Sequence, residues 1–262
     1  MFIVLHAKRI LCIIGLTILF LGGMMIISYR TLVPVFRPAP ADIAVSMVYI
    51  IDAGHGGEDG GAVSASGVTE STLNLEIAQR LNDVLSFLGK DTVMTRPGGK
   101  AVYSAGASTL REKKRSDLQN RVEMVNGYDG AVLLSIHQNS LPSVPSVHGA
   151  QTFYNTVSGA DQLAEQIQQS LNQTVNAGNE KTEKRIDDTI YLMRQVLCPA
   201  VLVECGFLSN AEETKLLQER QYQTRLALTI AAGVLQEPPE EARMNTQQNT
   251  EENKKENGAV IS

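Results

Sequence analysis

The sequence predicts a single α/β domain with a mostly parallel, roughly six-stranded sheet flanked by helices, preceded by an amino-terminal transmembrane helix. Short apolar runs alternate with amphipathic stretches between residues 47 and 236, which is typical of strands joined by helical crossovers. That length is sufficient to bury one full core. An uncharged apolar segment precedes this region, and a polar stretch follows it.

The amino-terminal region reads as a membrane anchor. Residues 1–9 carry Lys8 and Arg9 and are expected to stay in the cytoplasm. Residues 10–28 are uncharged and long enough to span a bilayer at about 1.5 Å per residue. We favour an uncleaved anchor over a cleaved signal segment because a clear cleavage site does not follow. Residues 29–46 contain several prolines and are interpreted as a linker to an exported domain.

The first half of the domain begins with alternating strands and helices. Residues 48–51 are β-branched and aromatic, which favours a buried strand. In residues 71–88 the apolar side chains recur at helical spacing, and Gly89 is expected to end the helix. Residues 91–95 form a second predicted strand. The polar stretch 100–116, with its REKKR cluster, is expected to be a solvated loop or, alternatively, a substrate-binding flap.

In the second half, apolar runs short enough for strands recur between amphipathic helices. Cys198 and Cys205 flank the last predicted strand, about 20 Å apart at 3.3 Å per residue, so a disulfide between them is excluded. Residues 237–262 are polar and are expected to be disordered. Strands are predicted at 131–136, 150–154, 190–193 and 200–204, and helices at 117–126, 160–175, 210–217 and 221–235.

The charge distribution excludes one class of partner. The formal net charge is −5, and apart from the REKKR cluster the basic residues are scattered along the chain. A nucleic-acid-binding protein needs a concentrated basic surface to displace phosphate counterions. We therefore expect no nucleic-acid partner.

Several polar residues are placed where a parallel sheet collects its ligands, beyond the carboxyl ends of its strands. His55 follows the first strand in a glycine-rich loop, His137 follows the strand at 131–136, and Glu204 ends a wholly apolar strand. Glu70 opens the first helix. Each has an ordinary interpretation: a turn residue, a hydrogen-bonded histidine or a helix-capping acid. Two histidines and one carboxylate with an open fourth position nevertheless form a known catalytic zinc arrangement, and a further glutamate could supply acid/base catalysis.

Four motifs together resemble the zinc-dependent N-acetylmuramoyl-L-alanine amidases of the type 3 class. These are DAGHGGEDGGA around His55, Glu70 before NLEIA, SIHQN around His137 and VECGFLSN around Glu204. The resemblance extends from about residue 47 to residue 235. It implies that His55, Glu70 and His137 bind Zn2+ and that Glu204 is the catalytic carboxylate. It also implies an α/β sheet flanked by helices, in agreement with the pattern of strands and helices.

Within that class, the short chain, the single anchor and the Tyr191–Met193 segment are most similar to the CwlD-like spore-cortex amidases. This implies hydrolysis of the amide between N-acetylmuramic acid and L-alanine of the stem peptide as a step towards muramic-δ-lactam, which is needed for germination. The expected location is the membrane, with the catalytic domain facing the cell wall or spore cortex. An accessory protein could be needed for activity or metal loading. Asn139 and Arg194 are further candidates for contacting the substrate or supporting the ligands, and a turn role for Asn139 stays open.

Two other functions compete with this interpretation. A membrane-tethered module could bind peptidoglycan, or help assemble other proteins, without cutting it. Alternatively, Cys205 could be the nucleophile of a cysteine hydrolase. Adjacent side chains in a strand point to opposite faces, so Cys205 and Glu204 cannot both face the same site. This disfavours the cysteine hydrolase.

Overall fold

The computed structural model describes residues 47–236; the predicted anchor, linker and polar tail lie outside the described residues. Within this range no helix is both long enough and apolar enough to cross a bilayer. The strands are β1 (Val48–Ala53), β2 (Asp91–Met94), β3 (Ala131–Asn139), β4 (Gln151–Tyr154), β5 (Lys184–Arg185) and β6 (Ala200–Phe207). The helices are α1 (Glu70–Phe87), α2 (Leu110–Asn126), α3 (Ala160–Thr174), α4 (Tyr191–Gln195), α5 (Ala211–Gln218) and α6 (Arg220–Val234).

The six strands form one sheet in the order β2-β1-β3-β6-β4-β5. Strands β2, β1, β3 and β6 run parallel to one another, whereas β4 runs antiparallel to β6. The predicted mostly parallel, six-stranded sheet is therefore confirmed. Because β1, β3 and β6 lie side by side and run in the same direction, their carboxyl ends meet at one edge.

Helices cover both faces of the sheet. Alternate residues of β1 point to opposite faces, so Ile51 joins one apolar cluster and Ile50 the other, and both are fully buried. The larger cluster contains residues of α1, α3, α5 and α6, and the smaller one contains residues of α2 and α4. This layered arrangement fixes the positions of the strand ends that carry the candidate site.

The loop predicted for residues 100–116 is wrong over its last seven residues, because α2 begins at Leu110. Thr109 and Glu112 form a capping box. The Glu112 backbone N–H donates to the Thr109 hydroxyl at 3.2 Å, and the Thr109 backbone N–H donates to the Glu112 carboxylate at 2.9 Å. The capping signal was present in the sequence, but the charged run beside it has no apolar periodicity.

The strand predicted at 190–193 is also wrong, since Tyr191–Gln195 is the short helix α4. Leu192 and Met193 are buried against the smaller apolar cluster. An apolar run of four residues suits a buried helical turn as well as a strand, so periodicity could not separate the two.

Three strands extend beyond their predicted ends, and the first of them, β1, continues to Ala53. β3 continues through His137 to Asn139, and β6 continues through Glu204 to Phe207. His137 therefore lies within its strand rather than after it, and Glu204 lies inside its strand rather than at its end. Cys198 and Cys205 are both free, as predicted.

Candidate metal centre and active site

His55 lies two residues beyond the end of β1, in a backbone conformation that is rare for a residue with a side chain. Its φ is 59°, in the left-handed region. The ring is held by two carboxylates, with Nδ1 at 3.0 Å from Asp59 Oδ2 and Nε2 at 3.3 Å from Glu70 Oε2. Burial opposes protonation of this imidazole, but the hydrogen bonds and charges of Glu70 and Asp59 outweigh it and raise the His55 pKa.

Glu70 is the first residue of α1, and its side chain is only 5% exposed. One carboxylate oxygen accepts the backbone N–H of Ala62 at 2.8 Å, and the other accepts that of Gln138 at 3.2 Å. Burial alone would raise the Glu70 pKa, but hydrogen bonds from His137 and His55 hold it far below its usual range. The carboxylate is therefore ionised, as a metal ligand must be.

His137 reaches the same carboxylate from β3. Its Nδ1 lies 2.9 Å from Glu70 Oε1, and its ring centroid lies 5.1 Å from that of His55. The ring packs directly over Gly54, where a Cβ would lie 2.2 Å from His137 Nε2. The glycine-rich loop thus allows a close approach of His137, because only glycine at position 54 leaves room for this imidazole.

Gly54→Ala is expected to lower zinc affinity at least about tenfold, because the added methyl group must displace the His137 ring from Glu70. Competition with a chromophoric chelator would measure this change in the full chain. Gly60→Ala is the matched control in the same loop, since its Cβ would make only an ordinary contact of 3.7 Å with Thr69. Unchanged zinc affinity in Gly54→Ala would show that the His137 position is not needed for binding.

Arg121 supports the backbone of the loop that carries His55. This side chain is 1% exposed and donates to the carbonyl oxygens of His55 at 2.7 Å and Ala53 at 2.8 Å. Its charge is balanced by Asp52 at 2.7 Å and Asp117 at 2.8 Å. A buried cation therefore helps to stabilise the left-handed His55 conformation.

A second buried arginine, Arg96, completes this support. It donates to the carbonyl oxygens of Ala53 at 2.7 Å and Gly54 at 3.0 Å, and to that of Ser71 in α1 at 2.9 Å. Burial and the nearby charge of Arg121 lower the Arg96 pKa to about 10. The loop that carries His55 and the helix that carries Glu70 are thus held together through one guanidinium group.

Glu204 stands beside the three-residue cluster on the neighbouring strand. It is the direct register partner of His137 in the parallel pair β3 and β6, so both side chains point to the same face. Its Oε2 atom is buried and has no hydrogen-bond partner among the described residues. Burial raises the Glu204 pKa to about 7; the positive charges of His137 and His55 oppose this rise, and the Glu70 carboxylate adds to it.

The raised Glu204 pKa predicts a pH dependence of stability in protein stripped of metal by a chelator. An unfolded glutamate titrates near 4.3, so the folded state binds more protons between about pH 4.3 and pH 7, and stability falls as pH rises through this window. Glu204→Gln should therefore be more stable than the wild type by about 2–3 kcal/mol at pH 8 and equally stable at pH 4. Urea unfolding at both pH values would measure the difference, and equal curves at pH 8 would contradict the assignment.

The donor atoms fit a zinc ion. His55, Glu70 and His137 each offer one ligand atom, and these atoms lie within 4.8 Å of one another. Two imidazoles and one carboxylate are a known zinc donor set that leaves a position open for substrate. Asp59, bound to the far nitrogen of His55, is the kind of carboxylate that orients metal-ligating histidines.

The cluster opens into a cavity of about 480 Å³. Asn139 lines it, and its side-chain oxygen accepts the backbone N–H of Ser140 at 2.8 Å. Arg194 is exposed on α4 and is not among the residues that line this cavity. His148 is exposed in a loop. The structure thus brings His55, Glu70, His137 and Glu204 together and leaves Arg194 outside.

Residues 50–236 match the family described as N-acetylmuramoyl-L-alanine amidase. A germination-specific N-acetylmuramoyl-L-alanine amidase of Bacillus subtilis is 35% identical over 212 residues, covering 78% of this chain and 87% of the relative.

Solved structures of N-acetylmuramoyl-L-alanine amidases are also similar to this chain. The CwlD amidase from Clostridioides difficile, in complex with the GerS lipoprotein, has a TM-score of 0.68 and 35% identity, covering 72% of this chain and 96% of that one. The catalytic domain of CwlV, an amidase from Bacillus (Paenibacillus) polymyxa, has a TM-score of 0.60 and 29% identity over 72% of this chain and 96% of that one. Because residues 50–236 match the family and these relatives are similar to it in sequence and structure, the chain belongs to the N-acetylmuramoyl-L-alanine amidase family, as its four motifs predicted.

Proposed function

We propose that this protein is a zinc-dependent peptidoglycan amidase that cleaves the bond between N-acetylmuramic acid and L-alanine during spore-cortex maturation. The observation that carries the proposal is a buried Glu204 oxygen, without a hydrogen-bond partner among the described residues, in the same cavity as His55, Glu70 and His137. A carboxylate whose buried oxygen lacks a partner, next to three potential ligands, suits proton transfer better than structural support.

In this proposal His55, Glu70 and His137 hold Zn2+. When bound there, zinc supplies Lewis acidity that polarises a carbonyl oxygen and makes water more acidic. Glu204 accepts a proton from the water whose oxygen adds to the lactyl carbonyl carbon. Glu204 then donates this proton to the alanine nitrogen as the carbon–nitrogen bond breaks, so the products are a muramoyl carboxylate and a free amino terminus.

The biological role is proposed from the relatives. The Bacillus subtilis relative is named as germination-specific, and the Clostridioides difficile CwlD amidase was solved with a lipoprotein. We propose by analogy that this chain contributes to muramic-δ-lactam formation and that an accessory protein assists its activity or metal loading. We also propose that residues 10–28 anchor the protein so that the catalytic domain faces the cell wall or cortex.

The experiment that tests this proposal follows new L-alanine amino termini released from purified peptidoglycan by the full chain. Activity should be lost after chelation and return when zinc is added. Binding to peptidoglycan without release in either state would support the alternative of a non-catalytic module. The composition of the spore cortex in a strain that lacks the gene tests the biological role. If the proposal holds, muramic-δ-lactam is absent from that cortex.

A further inference from the structure

The amidase centre does not account for two arginines of the REKKR cluster. Lys113 is paired with Glu58 at 2.6 Å, Lys114 with Asp59 at 3.1 Å, and Glu112 belongs to the capping box. Arg111 and Arg115 are exposed, and no carboxylate lies within 4 Å of either guanidinium group in the part of the chain that the structure describes.

These two charges are unfavourable for the helix itself. Arg111 and Arg115 are four residues apart, so they face the same side of α2 on consecutive turns, and like charges at this spacing destabilise a helix. Arg111 also lies in the first turn, where the helix dipole favours anions over cations. Neither residue is needed to cap the helix, because Thr109 and Glu112 already do so. The two arginines therefore oppose helix stability unless an anion lies between them.

The arginines line a groove that continues the active-site cavity. The groove has a volume of about 390 Å³ and is lined by Arg111, Lys114, Arg115, Leu118 and Tyr191. Of these, Lys114, Leu118 and Tyr191 also line the cavity that contains His55, Glu70, His137 and Glu204. A substrate held at the metal ligands can therefore extend along α2 without leaving the protein surface.

We propose that this groove is a subsite that binds the first free carboxylate of the stem peptide beyond L-alanine. This inference rests on the proposed amidase function. The muramic acid side of the scissile bond is uncharged there, because its lactyl carboxyl group is consumed in the amide. The peptide side carries a free α-carboxylate on its second residue, D-glutamate. Two unpaired guanidinium groups suit a carboxylate, because each guanidinium group can bind a carboxylate through two parallel N–H donors. Leu118 and Tyr191 offer apolar surface to the aliphatic part of the peptide.

The test compares two synthetic muramoyl tripeptides that differ only at the second residue, D-glutamate in one and D-isoglutamine, its α-carboxamide, in the other. Their dissociation constants are measured by calorimetry with the full-length, zinc-loaded Glu204→Gln chain, so that binding is separated from hydrolysis. The acid should bind about tenfold or more tightly than the amide. Arg111→Gln/Arg115→Gln in the same background should remove this preference by weakening only the acid.

Arg225→Gln is the matched control, because Arg225 is an exposed arginine of α6, on the opposite side of the sheet, and carries the same charge. Equal binding of the two peptides, or a preference that survives the double substitution, would overturn the subsite. Turnover of the same peptides by the wild type tests the amidase function separately: cleavage without an acid preference would refute the subsite alone.

Discussion

Glu204→Gln is expected to lower the rate of L-alanine amino-terminus release by about 10²–10⁴-fold while zinc content stays at the wild-type level. Glutamine has nearly the same shape as glutamate but cannot accept the proton of the attacking water or return it to the departing nitrogen. Glu204 does not belong to the group of three residues whose ligand atoms converge, so its loss leaves the proposed zinc donors in place. Rates on purified peptidoglycan and zinc analysis of the same samples would measure both effects.

Cys205→Ala is the matched control for this prediction. Cys205 is the next residue of β6 and is fully buried in the larger apolar cluster, on the opposite face of the strand from Glu204. Burial raises its thiol pKa, which leaves it a poor nucleophile. Activity should persist in Cys205→Ala, whereas lost activity with retained zinc would revive the cysteine hydrolase. Near-wild-type activity in Glu204→Gln would remove the glutamate from the mechanism.

Asp52→Ala is expected to destabilise the domain by about 3–5 kcal/mol, because it leaves the buried Arg121 guanidinium with one carboxylate instead of two. Asp52 is 1% exposed and accepts hydrogen bonds from Arg121 at 2.7 Å, Thr95 at 2.6 Å and Ser135 at 2.7 Å. These partners outweigh burial and hold the Asp52 pKa at about 2. Urea unfolding of the full chain at neutral pH would measure the loss.

Two substitutions calibrate the Asp52 result. Asp52→Asn keeps an oxygen for Arg121 and should be milder than Asp52→Ala. Arg185→Ala breaks an exposed ion pair with Asp188, at 3.4 Å, and should change stability by less than about 1 kcal/mol. If Asp52→Ala were as mild as Arg185→Ala, the buried network would not be needed to hold the loop that carries His55.

The sequence predicted the central strands well and singled out four residues that the structure brings together, for a physical reason. Strands β1, β3 and β6 are buried on both faces, so each reads as a continuous apolar run, and a polar residue near its end is conspicuous. His137 and Glu204 were found in this way. His55 was singled out by the glycine-rich motif around it, and Glu70 by its position at the start of a predicted helix.

The residues that support the site were harder to predict. Arg96 and Arg121 are charged, and charged residues usually lie on the surface, yet both are almost completely buried. Both also donate to backbone carbonyl groups of a distant loop, and such contacts leave no pattern in the sequence. Asp59 stood within the quoted glycine motif, but only the folded loop shows that it bonds the ring of His55.

Zinc bound per chain, measured by equilibrium dialysis of full-length protein, tests the central claim most directly. The wild type should bind one zinc ion, and His55→Ala, Glu70→Ala and His137→Ala should each retain about a tenth or less at the same free zinc concentration. His148→Ala, which removes an exposed loop histidine, should bind like the wild type. Wild-type zinc binding by any of the three ligand variants, or no zinc in the wild type, would contradict the proposed metal centre.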